Sequence, residues 1–386
     1  MKKIQILFHD AGGGHRNAAV ALQTVIQQQD RPWEVELIQF QELTDQLDVL
    51  RKLTGIRIQE QYNILLRNGW TLGATQLLRV LQTTIRVFHR PMVKLLTEQF
   101  RQKPPDLLVS VIPHFNREIA EAWNAVHPER PFVTIITDLA DFPPRFWIEP
   151  GNAQYVICGT QRAVAQARAM GKDDAHIFAT SGMILRPDFY AADHADPLAV
   201  RRELHLRPDL TTGMLLFGGF GSKAMYDIVE RLEAADLPLQ LIVICGRNEK
   251  LAEKFRARAW RLPLHVLGFT KEVHHLMRAA DFLIGKPGPG SIAEAMVRGL
   301  PVIVECNAWT MPQERYNTEW VREKGVGIVL RDFGEIVSGV KQLLEPGKLQ
   351  QFRANVAALD NRAIFEIPQI FEQLLETRTA VGAVKR

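Results

Sequence analysis

Phe282-Leu283-Ile284-Gly285-Lys286-Pro287-Gly288-Pro289-Gly290-Ser291-Ile292-Ala293-Glu294-Ala295 reads as a strand, a turn rich in glycine and proline, and the start of a helix. Four apolar or small residues without alternation suit a strand buried on both faces. The turn ends at about Ser291, where free N–H groups and the positive end of the helix dipole can hold a diphosphate. With Ser291 as N-cap, Glu294 three residues on would close a capping box. Alternatively, its carboxylate meets ribose hydroxyls, as acidic groups do beside bound nucleotides. So specialised a turn favours the second reading. No Gly-Lys-Ser/Thr triplet stands at Walker spacing, and no Gly-x-Gly-x-x-Gly opens the first βα unit, which weakens kinase-like and dehydrogenase readings.

The same strand–turn–helix plan recurs along the chain. Gly213–Phe217 leads into Gly218-Gly219-Phe220-Gly221-Ser222 and a helix to Ala235. Ile4–Phe8 leads into Ala11-Gly12-Gly13-Gly14-His15 and a helix from Asn17 to Gln29. Val35–Phe40, Leu107–Ile112, Phe132–Thr137, Val156–Cys158 and Ile177–Thr180 complete a first set of strands. Leu239–Cys245, Leu264–Leu267, Val302–Val304 and Gly327–Leu330 join the second set, and Gly334–Thr377 is helical in composition. Near-continuous apolar strands spaced by helices predict parallel sheets covered on both faces. A polar stretch from Ala191 to Asp209 separates the sets. The expected architecture is α/β, with two Rossmann-like doubly wound domains, 1–195 and 196–365, and a helical tail, 366–386, returning to the first domain. Ligands of such sheets bind beyond the carboxyl ends of the strands, so two facing edges would form a cleft.

At 386 residues the chain suits two domains, and its 46% hydrophobic and 23% charged residues are ordinary for a globular protein. The formal charge of +4 excludes little. Cys158, Cys245 and Cys306 are scattered, with no CxxC pair or Cys/His cluster for zinc, which fits a reducing compartment. Met1-Lys2-Lys3 precedes an apolar run too short for a signal peptide, and no run approaches the ~18 residues that span a membrane.

Several motifs together resemble a known family. Gly218-Gly219-Phe220-Gly221-Ser222, Cys245-Gly246-Arg247-Asn248, Gly268-Phe269-Thr270, Lys286–Ala295 and Arg298-Gly299-Leu300-Pro301 occur in this order in the monogalactosyldiacylglycerol synthases, which are MurG-like, inverting glycosyltransferases of family 28 with the GT-B fold. Asp10-Ala11-Gly12-Gly13-Gly14-His15-Arg16 is similar to their amino-terminal motif. The resemblance implies transfer of galactose or glucose from UDP-galactose or UDP-glucose to diacylglycerol. It implies that the backbone around Phe269 recognises uracil, that Gly219 and the loop Pro287, Gly288, Pro289, Gly290 and Ser291 hold the diphosphate, and that Glu294 holds the ribose. Gln313 and Glu314, within Met311-Pro312-Gln313-Glu314-Arg315-Tyr316-Asn317, resemble the element that meets the donor sugar. Pro312 stands where a glycine is common there, so the resemblance leaves galactose and glucose both open.

Arg247 offers a planar fork to the diphosphate, or else caps a strand end. His15 is the candidate general base, since imidazole accepts a proton near neutral pH and Gly13 and Gly14 allow close approach to substrate. Otherwise His15 caps the first helix. Asp138, at a strand end, competes as base, and His114 is a candidate for acceptor contact. No Asp-x-Asp ends a strand, so neither metal nor other cofactor is expected; the helix dipole and basic side chains would stabilise the leaving group. Alternatives are a polyprenyl-linked or soluble acceptor, a UDP-sugar epimerase of the same fold, and a non-catalytic nucleotide-sugar sensor.

Between Ile64 and Lys103 lie seven basic residues, including Arg86 and Arg90, against one acid, interleaved with Trp70 and aliphatic residues. Such a segment lies on an anionic membrane surface, or packs its apolar face on its own domain. Phe142, Phe146 and Trp147 add aromatics in a proline-rich loop, at an acceptor or membrane rim. The expectation is a cytoplasmic enzyme bound peripherally to the inner membrane face, with no nucleic-acid module.

Overall fold

The computed structural model describes residues 1–9, 13–44, 85, 87–191 and 196–384, the side chains as far as 376. The chain forms two compact units, residues 1–187 with 361–386, and residues 188–360.

In the first unit six parallel strands lie in the order β2-β1-β3-β4-β5-β6: Lys2–Phe8 (β1), Trp33–Gln39 (β2), Leu107–Ser110 (β3), Phe132–Ile135 (β4), Tyr155–Cys158 (β5) and Ile177–Ala179 (β6). β3 and β4 are buried at every residue, as strands covered on both faces must be. The helix Gly14–Gln28 buries Ala18, Ala19, Ala21, Leu22, Val25 and Ile26, a stripe with the period of an α-helix. Each fully buried Leu or Ile of this kind contributes about 1.5–3 kcal/mol. The helix begins at Gly14, three residues earlier than the apolar pattern indicates, and so His15 sits in its first turn. The last helix, Ala363–Val384, also belongs to this unit, where Glu372 pairs with Arg31 at 2.6 Å and Glu366 accepts the Ser181 N–H at 2.8 Å.

The second unit holds six parallel strands in the order β12-β11-β10-β7-β8-β9: Thr211–Leu216 (β7), Leu239–Ile244 (β8), Leu264–Leu267 (β9), Phe282–Gly285 (β10), Val302–Glu305 (β11) and Gly327–Leu330 (β12). From β7 the chain proceeds outward through β8 to β9, then returns to β10 on the other side and proceeds to β12. The strand order therefore reverses between β7 and β10, where the register sets Gly285 beside Leu216. A side chain on Gly285 would lie 2.5 Å from the Leu216 carbonyl oxygen, so only glycine lets the two strand ends run this close.

The chain enters the second unit at residue 188 rather than 196. Phe189 is buried in the second unit's core with Val200 and Leu204, and Arg298 donates to the Asp188 carbonyl at 3.0 Å. Within the polar stretch that follows, the helix Pro197–Glu203 packs Val200 into the same core. The return comes at residue 361 rather than 366: Arg362 N–H bonds Ser181 Oγ at 2.6 Å, and Ala363 and Ile364 are fully buried.

Candidate active site

Doubly wound sheets bind ligands where the strand order reverses. At that point of the second unit two turns leave adjacent strands, Gly218–Gly221 after β7 and Lys286–Gly288 after β10. Gly218 and Gly221 have φ of 70° and 61°, values that side chains adopt with strain. A third turn packs against the first. Arg247 N–H donates to the Gly219 carbonyl at 2.8 Å, and a Cβ on Gly246 would fall 2.5 Å from that oxygen.

The helix after β10 runs Pro289–Val297 with Gly288 as N-cap and Pro289 at its first position, where a missing N–H costs nothing. Ser291 is therefore the third helical residue, caps nothing, and forms no capping box with Glu294. Glu294 stands half-buried in the second turn. Gly290 and Ser291 present N–H groups that have no acceptor four residues back within the helix, beside a first turn free of acidic residues. The turn thus suits an anion.

A second element is tied to this turn. The helix Arg315–Lys324 carries Asn317, fully buried, whose amide donates to the Pro287 carbonyl at 2.7 Å. Asn317 Oδ1 and Gln313 Oε1 are buried and without a hydrogen-bond partner. Two orphaned acceptors beside an anion-binding turn call for a ligand with hydroxyl groups. Glu314 keeps some exposed surface, yet protein crowds its carboxyl, and burial raises its pKa although nearby Lys286 pulls it down. Its Oε1 lies 3.8 Å from where a Gly288 side chain would begin.

Phe269, in the turn after β9, is 57% exposed. The Arg247 guanidinium lies 5.3 Å from its ring centre and 5.9 Å from that of Phe220. Arg247 is thus stacked on aromatic rings, a placement its sequence alone does not disclose.

The first unit gathers a separate set at the carboxyl ends of β1, β3 and β4. Gly13, at φ 85°, caps the first helix, and Gly14 opens it into free space. His15 Nδ1 lies 3.2 Å from Thr137 Oγ1, and the ring is 5.7 Å from that of Trp147. Burial, then the nearby His9, then His114 lower the His15 pKa to about 3, against a backbone hydrogen bond with Val111. The imidazole is therefore neutral near pH 7, the form a base requires. His9 hydrogen-bonds Gln41 at 2.9 Å, and burial brings it down to about 4. His114 is lowered to about 4 by burial and by His9. It adopts φ 72°, donates its N–H to the Phe146 carbonyl at 2.6 Å and meets the Phe146 ring edge-on at 4.2 Å. Asp138 is 8% exposed and accepts the Trp147 indole N–H at 2.9 Å, so this carboxylate oxygen is already engaged.

Two aromatic expectations are corrected. Phe146 and Trp147 are 6% and 0% exposed, packed with Ile136, Ile148 and Val156, and form no outer rim. Asp141 folds the loop inward, its carboxylate accepting the N–H groups of Arg145 at 3.0 Å and Trp147 at 2.7 Å. Phe142 alone of the three stays exposed. Trp70 and Arg86 lie outside the described residues. Arg90 is exposed on the helix His89–Gln102, whose Leu96 and Phe100 pack against the first unit's core, so this part of the basic segment has its apolar face occupied. Among the described residues no helix is long and apolar enough to cross a membrane.

The profile of the glycosyltransferase family 28 C-terminal domain matches residues 215–364. The chain is 31% identical over 297 residues to "Probable monogalactosyldiacylglycerol synthase 2, chloroplastic" of Oryza sativa subsp. indica, covering 72% of this chain and 61% of that protein's length. It is 28% identical over 412 residues to monogalactosyldiacylglycerol synthase 2, chloroplastic, of Arabidopsis thaliana, covering 99% and 83%. Among solved structures, Acinetobacter baumannii MurG superposes with a TM-score of 0.60 at 13% identity, over 97% of this chain and 100% of that one. The S. aureus MnaA–UDP co-structure gives 0.61 at 14% identity, over 97% of each. At such identities these structures show the fold, which is GT-B.

Proposed function

The chain belongs to the family 28 glycosyltransferases of GT-B fold, homologous to the monogalactosyldiacylglycerol synthases, and on that premise we propose that it moves galactose or glucose from a UDP-sugar to diacylglycerol with inversion. The observation that carries the donor half is the pair of glycine turns at the strand-order reversal between β7 and β10, with an anion-ready helix start beside them. UDP bound to S. aureus MnaA, a protein of the same fold, supports a nucleotide-sugar donor.

In this reading uracil meets the backbone at Phe269, the diphosphate lies over Gly219 and the Pro287–Ser291 turn, and Glu294 holds the ribose. Gln313 and Glu314 take the hexose hydroxyls, which explains the orphaned acceptor of Gln313. His15 removes the proton of the acceptor hydroxyl as its oxygen attacks the anomeric carbon. Asp138, bonded to Trp147, which packs near the His15 ring, supports the histidine's surroundings and does not act as base. The diacylglycerol acceptor follows from the named relatives, and with it peripheral attachment to a membrane.

The test is incubation of the purified protein with labelled UDP-galactose or UDP-glucose and vesicles containing diacylglycerol. Labelled monohexosyldiacylglycerol from one donor is expected. No glycolipid from either, with label appearing instead in a polyprenyl lipid or an epimerised nucleotide sugar, would overturn the assignment.

A further inference from the structure

We propose that Lys286 is the cation that neutralises the departing diphosphate, and that Arg247 serves the base end of the nucleotide. This rests on the UDP-sugar reading and divides its electrostatic work between two side chains.

Lys286 is exposed and directly follows β10, so it stands at the strand-order reversal on the rim of the Pro287–Ser291 turn. The carbonyl of the next residue, Pro287, is held by the fully buried Asn317, which fixes the backbone that carries the lysine. Arg247 is committed elsewhere, its backbone N–H on Gly219 and its guanidinium over Phe269 and Phe220. The orphaned acceptors Asn317 Oδ1 and Gln313 Oε1 sit on the helix bound to the Pro287 turn and on the short Pro312–Glu314 turn that leads into it. They mark where sugar hydroxyls belong, and the diphosphate must lie between that sugar and the base.

The magnitudes require a full charge there. A helix N-terminus supplies the equivalent of about half an elementary charge. A nucleoside diphosphate leaves with two to three negative charges. In the transfer the bond from the anomeric carbon to the diphosphate oxygen breaks, and its electron pair departs with that oxygen. The acceptor oxygen forms the new bond and its proton goes to His15. The Lys286 ammonium faces charge that grows as the bond breaks, so its attraction is strongest in the transition state. Lys286 is near enough to Glu314 to act on it, drawing down the pKa of a carboxyl that burial raises.

The experiment compares wild type, Lys286→Met and Lys286→Arg in calorimetric titrations with UDP and with uridine, and in turnover with UDP-hexose and diacylglycerol vesicles. For Lys286→Met the expected result is UDP binding weakened about 10- to 100-fold, uridine binding unchanged, and kcat lowered roughly 100-fold. Lys286→Arg recovers most of both. UDP affinity and kcat within twofold of wild type in Lys286→Met would overturn the proposal, as would equal losses for UDP and uridine, the mark of a structural defect. Wild-type protein that binds no UDP would remove the donor reading itself, and this inference with it.

Discussion

Asn317 reaches from the first turn of its helix to the carbonyl oxygen of Pro287, 2.7 Å away, and joins two elements of the candidate donor site. The bond is buried, so breaking it leaves a carbonyl without its donor. Asn317→Asp sets a carboxylate oxygen against that carbonyl. It is expected to lower stability by about 1–3 kcal/mol and to weaken UDP binding, measured by denaturant unfolding and titration. Unchanged UDP affinity in a folded variant would show that the tie does not shape the site.

Gly246 has φ 60°, and its missing side chain would lie 2.5 Å from the Gly219 carbonyl oxygen. Gly246→Ala must shift backbone against backbone, in a conformation that costs alanine about 1–2 kcal/mol by itself. The Gly218–Gly221 turn moves as a result. UDP affinity should fall at least tenfold while the melting temperature drops by several degrees.

His15→Ala should lower kcat by about 100- to 10,000-fold, the usual yield of general-base catalysis. UDP binding should stay as in wild type, because the donor residues belong to the other unit. The pH profile adds a separate signature. With His15 lowered to about 3 in the free protein, the acidic limb of kcat/KM should lie well below the ordinary histidine value of 6.5. A limb near 6.5 would assign the base to another group.

Stability should fall on acidification below pH 6.5. His9, His15 and His114 have folded values of about 4, 3 and 4, so in that window the unfolded chain binds protons that the folded chain refuses. Their contribution is fully present above 6.5 and is lost as pH falls towards the folded values. Asp141 and Glu149, raised by burial to about 6 and about 7, oppose it, since their stabilisation is present below the ordinary carboxylate range and is lost as pH rises through those values. Glu305 and Glu314, also raised by burial, act with these carboxyls, and His265, lowered by burial, acts with the imidazoles. His114→Asn, whose side chain tolerates the positive φ, should flatten the acid side of the profile in denaturant unfolding between pH 4.5 and 6.5.

Asp281 clamps the amino ends of the two strands that flank the reversal. It accepts from Arg201 at 2.7 Å, from Arg353 at 2.6 Å and from the Thr212 N–H of β7 at 2.7 Å, and it immediately precedes β10. Asp281→Ala strands the mostly buried Arg201 without its carboxylate and should cost about 3–5 kcal/mol. Chemical denaturation measures it.

Much of this was legible because strands covered on both faces must be continuously apolar. Phe282–Gly285, Leu264–Leu267 and Gly327–Leu330 are bounded as their patterns indicate, and the other strands differ only at their ends, where fraying and caps decide. Phe146 and Trp147 misled because proline-rich loops normally lie at the surface, whereas Asp141 turns this one inward through backbone bonds invisible in composition. The polar run after Ala191 did not mark the boundary, since Phe189, upstream of it, had already joined the second core with Val200 and Leu204. Lys286 was passed over for a physical reason too: a lysine is solvated by default, and only its position beside β7 and the Pro287 turn sets it apart. Asn317 stood in a quoted motif, yet its bond to a carbonyl thirty residues earlier needed the fold to become visible.

The central claim is that the second unit's turns at the β7–β10 reversal hold a uridine diphosphate. Calorimetric titration of UDP into wild type and Glu294→Ala tests it most directly. The account predicts saturable one-site binding, weakened at least tenfold in the variant while its melting curve is retained. Absence of UDP binding to folded wild-type protein, or equal binding to both, would contradict it.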